Sequence, residues 1–307
     1  MDPSAFPSLS GAADVYLIVG HPVAQVQAPA LFNAVFARAG LNAVMVPIAV
    51  APEHLTEFVR AAFLAPNVRG LSVTIPHKAA LAEVVDKCSE AARQAGAVNA
   101  VRREADGRLS GALFDGQGLR AALDHFGMAY TGRRVLLLGA GGAAAAIASA
   151  LAQAPGAAAQ VRLFDPQPGK AAALAQRLGQ STVQVARHND PAGFDLVINA
   201  SPLGLQAGDA LPCDVQALEP HAAVMDIVMK NQPTPWVRAA RARGLQAQPG
   251  FEMLVQQTAP YLEFFGLPEA ARLVRDDAAF LRQTLYPAAL HDEISTTPPY
   301  RLIPALL

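Results

Sequence analysis

Apolar and polar residues alternate along the chain with two periods, one typical of strands and one typical of helices. In LSVTIPHKAA (residues 71–80) three apolar residues alternate with Ser72 and Thr74, and Pro76 ends the predicted strand. An alanine-rich helix is then predicted to begin at Lys78. A lysine in the first turn of a helix lies at the end of the helix dipole that favours anions. The position of Lys78 therefore needs an explanation other than helix stability.

The same periods predict strands and helices in alternation over most of the chain. The predicted strands are residues 15–19, 43–50, 71–75, 98–103, 109–114, 134–138, 160–164, 182–186, 194–199 and 223–228. The predicted helices are residues 29–39, 52–64, 78–86, 115–126, 142–153, 169–178, 234–243 and 252–265. Such alternation is typical of an α/β fold with parallel sheets and helices on both faces. Because the series begins again near residues 115–134, we expect two α/β domains with ligand bound between them.

The composition is that of a globular protein with a large core. Of the 307 residues, 52% are hydrophobic and 16% are charged, which is enough for one large or two ordinary domains. The formal net charge of −1 favours neither a nucleic acid nor an anionic membrane as a partner. We therefore expect a small-molecule ligand, and the sequence leaves a homodimer open.

The sequence shows no signal for export or metal binding. Its first residues form neither a basic segment nor a long apolar one, so no signal peptide is expected. The uncharged stretch 135–152 approaches the length of a membrane span, but glycines divide it into a strand and a helix. Cys88 and Cys213 are far apart and lack metal-binding or redox spacing. We interpret them as thiols in a reducing, cytoplasmic compartment and expect no metal site.

A glycine-rich turn predicts a dinucleotide site. The stretch VLLLGAGGAAAAIASAL (residues 135–151) places a glycine–x–glycine–x–x–alanine pattern between an apolar strand and a helix. Gly139 would make the tight turn, and Gly141 would let the backbone approach a pyrophosphate at the helix N-terminus. The alternative is a plain tight turn between a strand and a helix. The predicted cofactor-binding residues of this turn are Gly139, Ala140, Gly141, Gly142 and Ala143.

An acidic residue after the next strand bears on which dinucleotide is bound. Asp165 follows the strand 160–164, where a carboxylate can accept hydrogen bonds from the adenine ribose and repel a 2′-phosphate. No arginine follows it closely in sequence, and the nearest cation is Lys170. We therefore expect NAD to be preferred over NADP. Asp165 can also cap the helix that follows Pro166, and the two roles are compatible.

A third set of cofactor residues is predicted after the strand 194–199. Asn199, Ala200 and Ser201 would lie at the carboxyl edge of the sheet, where open α/β folds bind their ligands. The alternative is an ordinary turn, which Pro202 and Gly204 favour.

Lys78 and Asp115 are the predicted catalytic residues. A lysine at a strand-to-helix corner points into a crevice, where it can donate or accept a proton if its pKa is lowered. Asp115 would cap helix 115–126, which leads into the second domain, and would lie on the same crevice. The pair suits hydride transfer to or from a secondary alcohol, with Lys78 handling the hydroxyl proton and Asp115 holding the lysine.

With these motifs the sequence resembles the shikimate/quinate dehydrogenase family, from about Val15 to Gly266. The motifs are VTIPHK (73–78), GAVNAV (96–101), DGQGL (115–119), LLGAGGAA (137–144), INASPLG (198–204), MDIV (225–228) and GFEMLVQQ (250–257). The resemblance implies a substrate-binding domain of residues 1–114 and 251–307 and a Rossmann domain of residues 115–250. It also implies an active site in the cleft between these domains.

The resemblance further implies roles for individual residues. Lys78 and Asp115 would be the catalytic pair of a dehydrogenase acting on a ring secondary alcohol. Thr74, Asn99 and Gln257 would hold the hydroxyl groups of the substrate.

The chain departs from the family pattern at several positions of the implied substrate pocket. The two serines that bind the substrate carboxylate in the family are replaced by Val26 and Ala28. An asparagine is replaced by Ser72, an Asn-Thr pair by residues 113–114 (Leu-Phe), and a tyrosine by Met229. Each change makes the implied pocket less polar. Losing two hydroxyl donors to a carboxylate would weaken shikimate binding by about a hundredfold.

The sequence therefore favours an NAD-dependent alcohol dehydrogenase of this family. Its expected substrate is shikimate, quinate or a less polar ring alcohol. Gln25 or Gln27 would replace the lost serines as donors if shikimate itself is the substrate. The main alternative is a non-catalytic NAD-binding regulatory protein on the same scaffold, against which the retention of both Lys78 and Asp115 argues. A lyase-like partner domain of a larger protein ranks last.

Overall fold

The chain forms two units in the computed structural model, which describes residues 9–153 and 155–291. One unit contains the residues up to Phe114 together with those from Gln257 onward, and the other is Asp115–Gln256. The second boundary falls inside a helix, Phe251–Phe264. The role of residues 280–307 was left open by the sequence, and residues 292–307 lie outside the described part.

The first unit contains a six-stranded mixed sheet. Its strands are β1 (Asp14–Gly20), β2 (Ala43–Ala49), β3 (Val68–Val73), β4 (Lys87–Cys88), β5 (Ala100–Arg103) and β6 (Leu109–Ala112). Their order is β2-β1-β3-β5-β6-β4. The expectation of parallel pairing is wrong at β5, which runs antiparallel to both β3 and β6. A tight turn through Gly107, whose φ is +84°, joins β5 directly to β6 and accounts for that antiparallel pair.

The helices of the first unit cover this sheet. They are α1 (Ala28–Arg38), α2 (Leu55–Ala62), α3 (Lys78–Leu81), α4 (Glu90–Ala95), α10 (Pro268–Asp276) and α11 (Ala279–Leu285). The helix predicted at 78–86 is a single turn, because the chain must leave it to enter the sheet: the Asp86 N–H donates to the Leu109 carbonyl oxygen (2.8 Å) and β4 then pairs with β6. Tertiary pairing overrides the helix propensity of the alanines here.

An aromatic cluster fastens the end of the long helix α9 (Phe251–Phe264) to the first sheet. The ring of Tyr16 on β1 lies 5.1 Å from that of Phe36 on α1 and 5.2 Å from that of Phe265. Tyr261 lies 5.8 Å from Phe32, edge-on. Such ring pairs contribute beyond their buried area. The returning segment is therefore part of the core of this unit.

The second unit contains a six-stranded sheet in which every pairing is parallel. Its strands are β7 (Arg134–Leu138), β8 (Gln160–Phe164), β9 (Val183–Val185), β10 (Leu196–Asn199), β11 (Ala223–Asp226) and β12 (Gln246–Pro249). Its helices, besides the start of α9, are α5 (Asp115–His125), α6 (Gly142–Ala152), α7 (Lys170–Leu178) and α8 (Pro235–Ala242). The order β12-β11-β10-β7-β8-β9 is that of a doubly wound dinucleotide-binding sheet, with its reversal between β7 and β10.

The predicted strands at 134–138 and 160–164 have the observed bounds, while β4, β12 and α4 were not predicted. These three elements have at most six residues each, too few for a clear hydrophobic period. The sequence predicts a partly helical segment from Leu267 onward, and the structure forms α10 and α11 there. Within the described residues no helix is long and apolar enough to cross a membrane.

Candidate active site

The reversal of strand order in the second unit places two glycine-containing turns side by side. Gly139 follows β7 and has φ +112°, a conformation that side chains other than glycine rarely adopt. A Cβ atom at this position would lie 2.6 Å from the carbonyl oxygen of Ala200, which follows β10. Only glycine fits here, so the turn after β7 and the turn after β10 can lie in contact. Residues 139 and 200 thus mark the crevice where doubly wound sheets bind ligands.

The start of α6 provides an open cradle for an anion. Gly141 precedes the first helical residue, Gly142, and a Cβ atom at 141 would meet nothing within 4 Å. The backbone N–H groups of Gly142 and Ala143 lie in the first helical turn, where no carbonyl of the helix can accept from them. A helix N-terminus of this kind binds phosphate groups. The residues present therefore fit the pyrophosphate of a dinucleotide.

Asp165 makes hydrogen bonds within its own unit through both carboxylate oxygens. Its Oδ2 accepts from the N–H of Ala140 (3.0 Å), and its Oδ1 accepts from the N–H of Gln167 (2.9 Å). The carboxylate thus links the glycine-rich turn to the start of the segment before α7. These two hydrogen bonds give Asp165 a structural role that does not involve a ribose.

Arg187 lies at the same edge of the sheet as Asp165. β8 and β9 are parallel, and Leu163 pairs with Val185. Two residues beyond this pair, the chain has Asp165 after β8 and Arg187 after β9. Arg187 is exposed and has no hydrogen-bond partner among the described residues. The sequence did not indicate this cation, because it is far from Asp165 along the chain and only the pairing of β8 with β9 brings the two positions together.

A buried hydrogen-bond network joins the ends of β10 and β11. Asn199 and Asp226 have no exposed surface, and Asn199 Nδ2 donates to Asp226 Oδ1 (3.0 Å). Ser201 Oγ donates to Asn199 Oδ1 (2.6 Å), and Thr234 Oγ1 donates to Asp226 Oδ2 (2.7 Å). The predicted cofactor residues Asn199 and Ser201 are therefore fixed by this network. Asp226 is its central acceptor.

Burial dominates the electrostatics of Asp226. It raises the pKa of this carboxyl to about 6, although hydrogen bonds from Thr234, the Val228 N–H and Asn199 act in the opposite direction. Asp226 lies in the motif MDIV (225–228), but neither its role in the network nor that of Thr234 was predicted from the sequence. The available signal was a carboxylate at the end of the apolar strand segment AVMD (223–226), an expensive residue to bury unless it is hydrogen-bonded.

In the first unit, Ser72 and Asn99 present buried polar atoms without partners. Ser72 is 3% exposed and Asn99 is 1% exposed, and neither Ser72 Oγ nor Asn99 Nδ2 has a hydrogen-bond partner. The Asn99 amide is held in orientation, since its Oδ1 accepts from the Phe114 N–H (3.0 Å). Unpaired buried donors cost free energy in a folded protein. Such atoms indicate a site that is completed by a ligand.

Thr74 and Gln257 are further polar groups of the first unit. Thr74 directly follows β3, lies two residues beyond Ser72 and so shares its face of the strand. Gln257, on α9, is only 4% exposed and its amide has no partner within the described residues. Tyr261, one turn further along α9, donates to the Asn99 carbonyl oxygen (2.9 Å), which ties that helix to the residue.

Lys78 lies at a rigid corner between β3 and α3. The preceding residue, His77, is 1% exposed, and its Nε2 lies 2.8 Å from the Val50 carbonyl oxygen. The carbonyl oxygen of Lys78 accepts from the Val98 N–H (2.8 Å). Because α3 is only one turn long, its dipole is short and opposes the lysine less than a full helix would.

Asp115 is the first residue of α5 in the second unit and is 5% exposed. The next residue, Gly116, lets α5 approach α6 closely, since a Cβ there would lie 2.3 Å from the Ala146 carbonyl oxygen. The position of Asp115 is therefore fixed by backbone packing between two helices.

Several departures from the family pattern place apolar residues where the family has polar ones. Ala28 is buried in the first turn of α1 and Val26 is half-buried just before it, so neither offers a donor. Gln25 donates through Nε2 to the Pro22 carbonyl oxygen (2.9 Å), which uses one of its two N–H groups within the loop. Met229 is half-buried in the second unit.

Leu113 and Phe114 have a packing role. Leu113 is 5% exposed, and the Phe114 ring lies 4.9 Å from that of Tyr261. The Asn-Thr pair of the family pattern is thus replaced by a buried leucine and by a phenylalanine that extends the aromatic cluster of the first unit.

Comparison with known proteins places the sequence among dehydrogenases. The model of the shikimate dehydrogenase substrate binding domain matches residues 18–101. The shikimate dehydrogenase (NADP(+)) of Rubrobacter xylanophilus is 43% identical over 258 residues, which cover 82% of this chain and 90% of that protein. The shikimate dehydrogenase (NADP(+)) of Acidiphilium cryptum is 38% identical over 274 residues, covering 89% of this chain and 96% of that protein.

Solved structures share the fold over nearly their whole length. Shikimate 5-dehydrogenase of Thermus thermophilus, in complex with NADP(H) and shikimate, has a TM-score of 0.74 at 30% identity and covers 85% of this chain and 99% of that one. Quinate dehydrogenase of Corynebacterium glutamicum, in complex with NAD, has a TM-score of 0.74 at 28% identity (89% and 98%). The 5-ketofructose reductase of a Gluconobacter strain has a TM-score of 0.71 at 28% identity (86% and 98%).

The expectation that NAD is preferred over NADP is wrong. The relatives from Rubrobacter and Acidiphilium, like others of similar identity, are named for NADP(+). The expectation depended on Asp165 as a ribose ligand and on the absence of a nearby arginine. In the structure the Asp165 carboxylate already accepts two backbone N–H groups, and Arg187 lies level with it on the neighbouring strand.

The buried carboxyl group of Asp226 makes the stability of the protein depend on pH, and this dependence can be tested. Its pKa of about 6 is above that of an unfolded aspartate, so the folded state binds the extra proton between about pH 4 and pH 6. The contribution of Asp226 to the free energy of unfolding therefore decreases by about 1 kcal/mol as the pH rises from 5 to 7. Urea unfolding of the wild type and of Asp226→Asn at both pH values should show this decrease only in the wild type.

The control for this measurement is Asp214→Asn, which changes an exposed carboxylate that caps a short 3-10 helix and which should keep the wild-type pH dependence. Identical pH dependence of the free energy of unfolding in the wild type and in Asp226→Asn would contradict the raised pKa of Asp226.

Proposed function

Because the chain belongs to the shikimate dehydrogenase family of oxidoreductases, we propose that it transfers a hydride reversibly between NADP and the ring carbon that bears a secondary hydroxyl group of the substrate. The observation that carries the proposal is the set of buried polar atoms without partners in the first unit. Ser72 Oγ and Asn99 Nδ2 are both inaccessible to solvent and unpaired. Their desolvation is offset when a substrate with hydroxyl groups pairs with them. Thr74 and Gln257 supply further hydrogen-bonding groups.

NADP is the cofactor that the residues of the second unit fit. The cradle at Gly141 and the start of α6 would hold the pyrophosphate, as the open space above residue 141 allows. Arg187, at the carboxyl edge of β9, and Lys170, the first residue of α7, are exposed cations that would bind the 2′-phosphate. Asn199 and Ser201, fixed through Asp226, would shape the turn beside the glycine-rich loop.

The nicotinamide of the bound cofactor accepts or supplies the hydride. Lys78 is proposed to take up the hydroxyl proton during oxidation and to return it during reduction, at its Nζ atom. The fixed corner around His77 holds the Lys78 backbone in one position, which limits the reorganisation that proton transfer requires. Asp115, the second member of the implied catalytic pair, is proposed to take part in the reaction through its carboxylate.

The preferred substrate is proposed to be less polar than shikimate on the side that meets residues 26–28. Val26 and Ala28 offer no hydroxyl donor, and one N–H of Gln25 is already bound to the Pro22 carbonyl oxygen. A carboxylate placed there would lose two charge-assisted hydrogen bonds, each contributing roughly 1.5–3 kcal/mol. Gln27, or the remaining N–H of Gln25, would bind a carboxylate more weakly. Quinate, shikimate and ring alcohols without a carboxylate are therefore the panel to compare.

Replacing Lys78 by alanine should lower kcat by about a hundredfold to ten-thousandfold with a smaller change in KM, because the proton acceptor is lost and the hydrogen-bonding groups remain. The rate is followed by NADPH absorbance with the best substrate of the panel. Lys87→Ala, which changes an exposed lysine on β4, is the control and should retain the wild-type rate. An unchanged kcat in Lys78→Ala would contradict the role of Lys78. If the wild type reduces NADP with no ring alcohol of the panel, the proposed activity fails.

Replacing Arg187 by alanine should raise KM for NADP at least tenfold and leave KM for NAD nearly unchanged, since only NADP carries the 2′-phosphate. Steady-state kinetics with both cofactors give the ratio. The control is Arg177→Ala, an exposed arginine in the last turn of α7. A parallel change for both cofactors would show that Arg187 acts on something other than the 2′-phosphate.

Restoring the family's hydroxyl groups should restore affinity for a carboxylate. The double variant Val26→Ser with Ala28→Ser should raise kcat/KM for shikimate by about tenfold to a hundredfold, while kcat/KM for a ring alcohol without a carboxylate should not rise. Ala24→Ser, in an exposed position of the same loop, is the control. If the wild type already oxidises shikimate efficiently and the double variant gains nothing, the proposed substrate preference is wrong.

A further inference from the structure

A groove of about 590 Å³ lies in the first unit, where β3 begins and β5 ends. Its walls include three arginines and one acidic residue, Arg69, Arg102, Arg103 and Glu104, with Phe265 beside them. No role in the proposed reaction has been assigned to these residues.

One of the three arginines is occupied by structural contacts. The Arg102 guanidinium donates to Glu104 through Nε (3.0 Å) and Nη2 (3.3 Å), and its Nη1 donates to the Phe264 carbonyl oxygen (2.7 Å) at the end of α9. Its Cζ also lies 4.9 Å from the centre of the Phe264 ring. Arg102 therefore caps the C-terminal end of α9, and its positive charge compensates the negative charge of Glu104.

The other two arginines form a pair of like charges. The pairing of β3 with β5 ends at Leu71 opposite Val101, and β3 has a register shift between Val68 and Gly70, at Arg69. The side chains of Arg69 and Arg103 nevertheless line the same groove, so two like charges share it. Arg103 donates one N–H, from Nη1, to the Phe63 carbonyl oxygen (2.7 Å). The remaining donors of Arg103 have no partner among the described residues.

Within the described part of the chain, Arg69 makes one ion pair and no hydrogen bond. Its Nε lies 3.7 Å from Asp14 Oδ1, which is within ion-pair distance but too long for a hydrogen bond. Its side chain is 55% exposed. Two guanidinium groups with available donors thus face one groove, and the acidic residue in the wall is already bound to Arg102. An oxyanion between the two groups would relieve their repulsion and accept several charge-assisted hydrogen bonds.

The groove also offers an apolar surface. The Phe265 ring lies directly on the backbone of Gly70, where a Cβ atom would be only 2.5 Å from the ring. Pro66 and Val68 contribute further apolar surface. This combination of guanidinium donors and an apolar wall is that of a site for a small organic anion.

The groove is distinct from the groups assigned to the substrate. Arg69 lies near the beginning of β3 and Thr74 follows its end, so the two are separated by about 16 Å along the strand. On these grounds we propose that the groove at Arg69 and Arg103 is a second ligand site of the first unit, which binds a small carboxylate or phosphate anion.

Isothermal titration calorimetry of the full chain tests the proposal, in a buffer free of phosphate and carboxylate and at low ionic strength. The probes are inorganic phosphate and benzoate, which distinguish a free tetrahedral anion from a carboxylate borne on a ring. We expect saturable binding of at least one probe, and at least tenfold weaker binding in Arg69→Gln and in the double variant Arg69→Gln with Arg103→Gln. Arg60→Gln, an exposed arginine of α2 outside the groove, should bind as the wild type does.

Arg69→Gln alone keeps the test valid if the double variant does not fold, because Arg69 makes no hydrogen bond to the rest of the unit. All variants should retain the wild-type kcat with NADP. Absence of saturable binding of both probes, or binding of equal strength in the wild type and Arg69→Gln, overturns the proposal.

Discussion

A carboxylate without exposed surface holds together the end of the second sheet. Burying an ionisable group is costly unless hydrogen bonds replace the water that it loses. Asp226 accepts from the side chains of Asn199 and Thr234 and from a backbone N–H, and through Asn199 it also fixes Ser201. The strand ends β10 and β11 and the start of α8 thus share one acceptor. The turn after β10 then meets Gly139 closely, so the geometry of the cofactor crevice depends on this buried group.

The first unit shows the opposite balance. There, Ser72 Oγ and Asn99 Nδ2 are buried and have no partner, although the amide oxygen of Asn99 is held by the Phe114 N–H. Unpaired donors reduce stability, and proteins retain them where a ligand completes the hydrogen bonds. The hydrogen-bond network in the second unit is thus complete and serves to stabilise the structure. The unsatisfied atoms in the first unit are the part that a substrate would complete.

The replacements at residues 113 and 114 have a packing role. Phe114 extends the aromatic cluster that fastens α9 to the first sheet, Leu113 is buried, and the same helix carries Gln257 and Tyr261. Val26 and Ala28, in contrast, provide no hydroxyl donor, although Ala28 is itself buried at the start of α1. The polarity of the implied pocket therefore changed at positions with different physical roles, and only the structure distinguishes them.

The sequence by itself determined the fold class, the family and the principal strands and helices, because hydrophobic period and the glycines of a tight turn are local properties. It also indicated Gly139 and Gly141, whose requirement follows from backbone geometry at one turn. Contacts between distant parts of the chain were decided only in the tertiary structure: the antiparallel pairing of β5 with β3, the end of α3 after one turn, the Asp226 network and the position of Arg187 beside Asp165. The expectation of NAD, which the names of the relatives contradict, was drawn from residues close to Asp165 in sequence, and Arg187 is near Asp165 only through strand pairing. Strand register and burial depend on the whole chain, and no local window contains them.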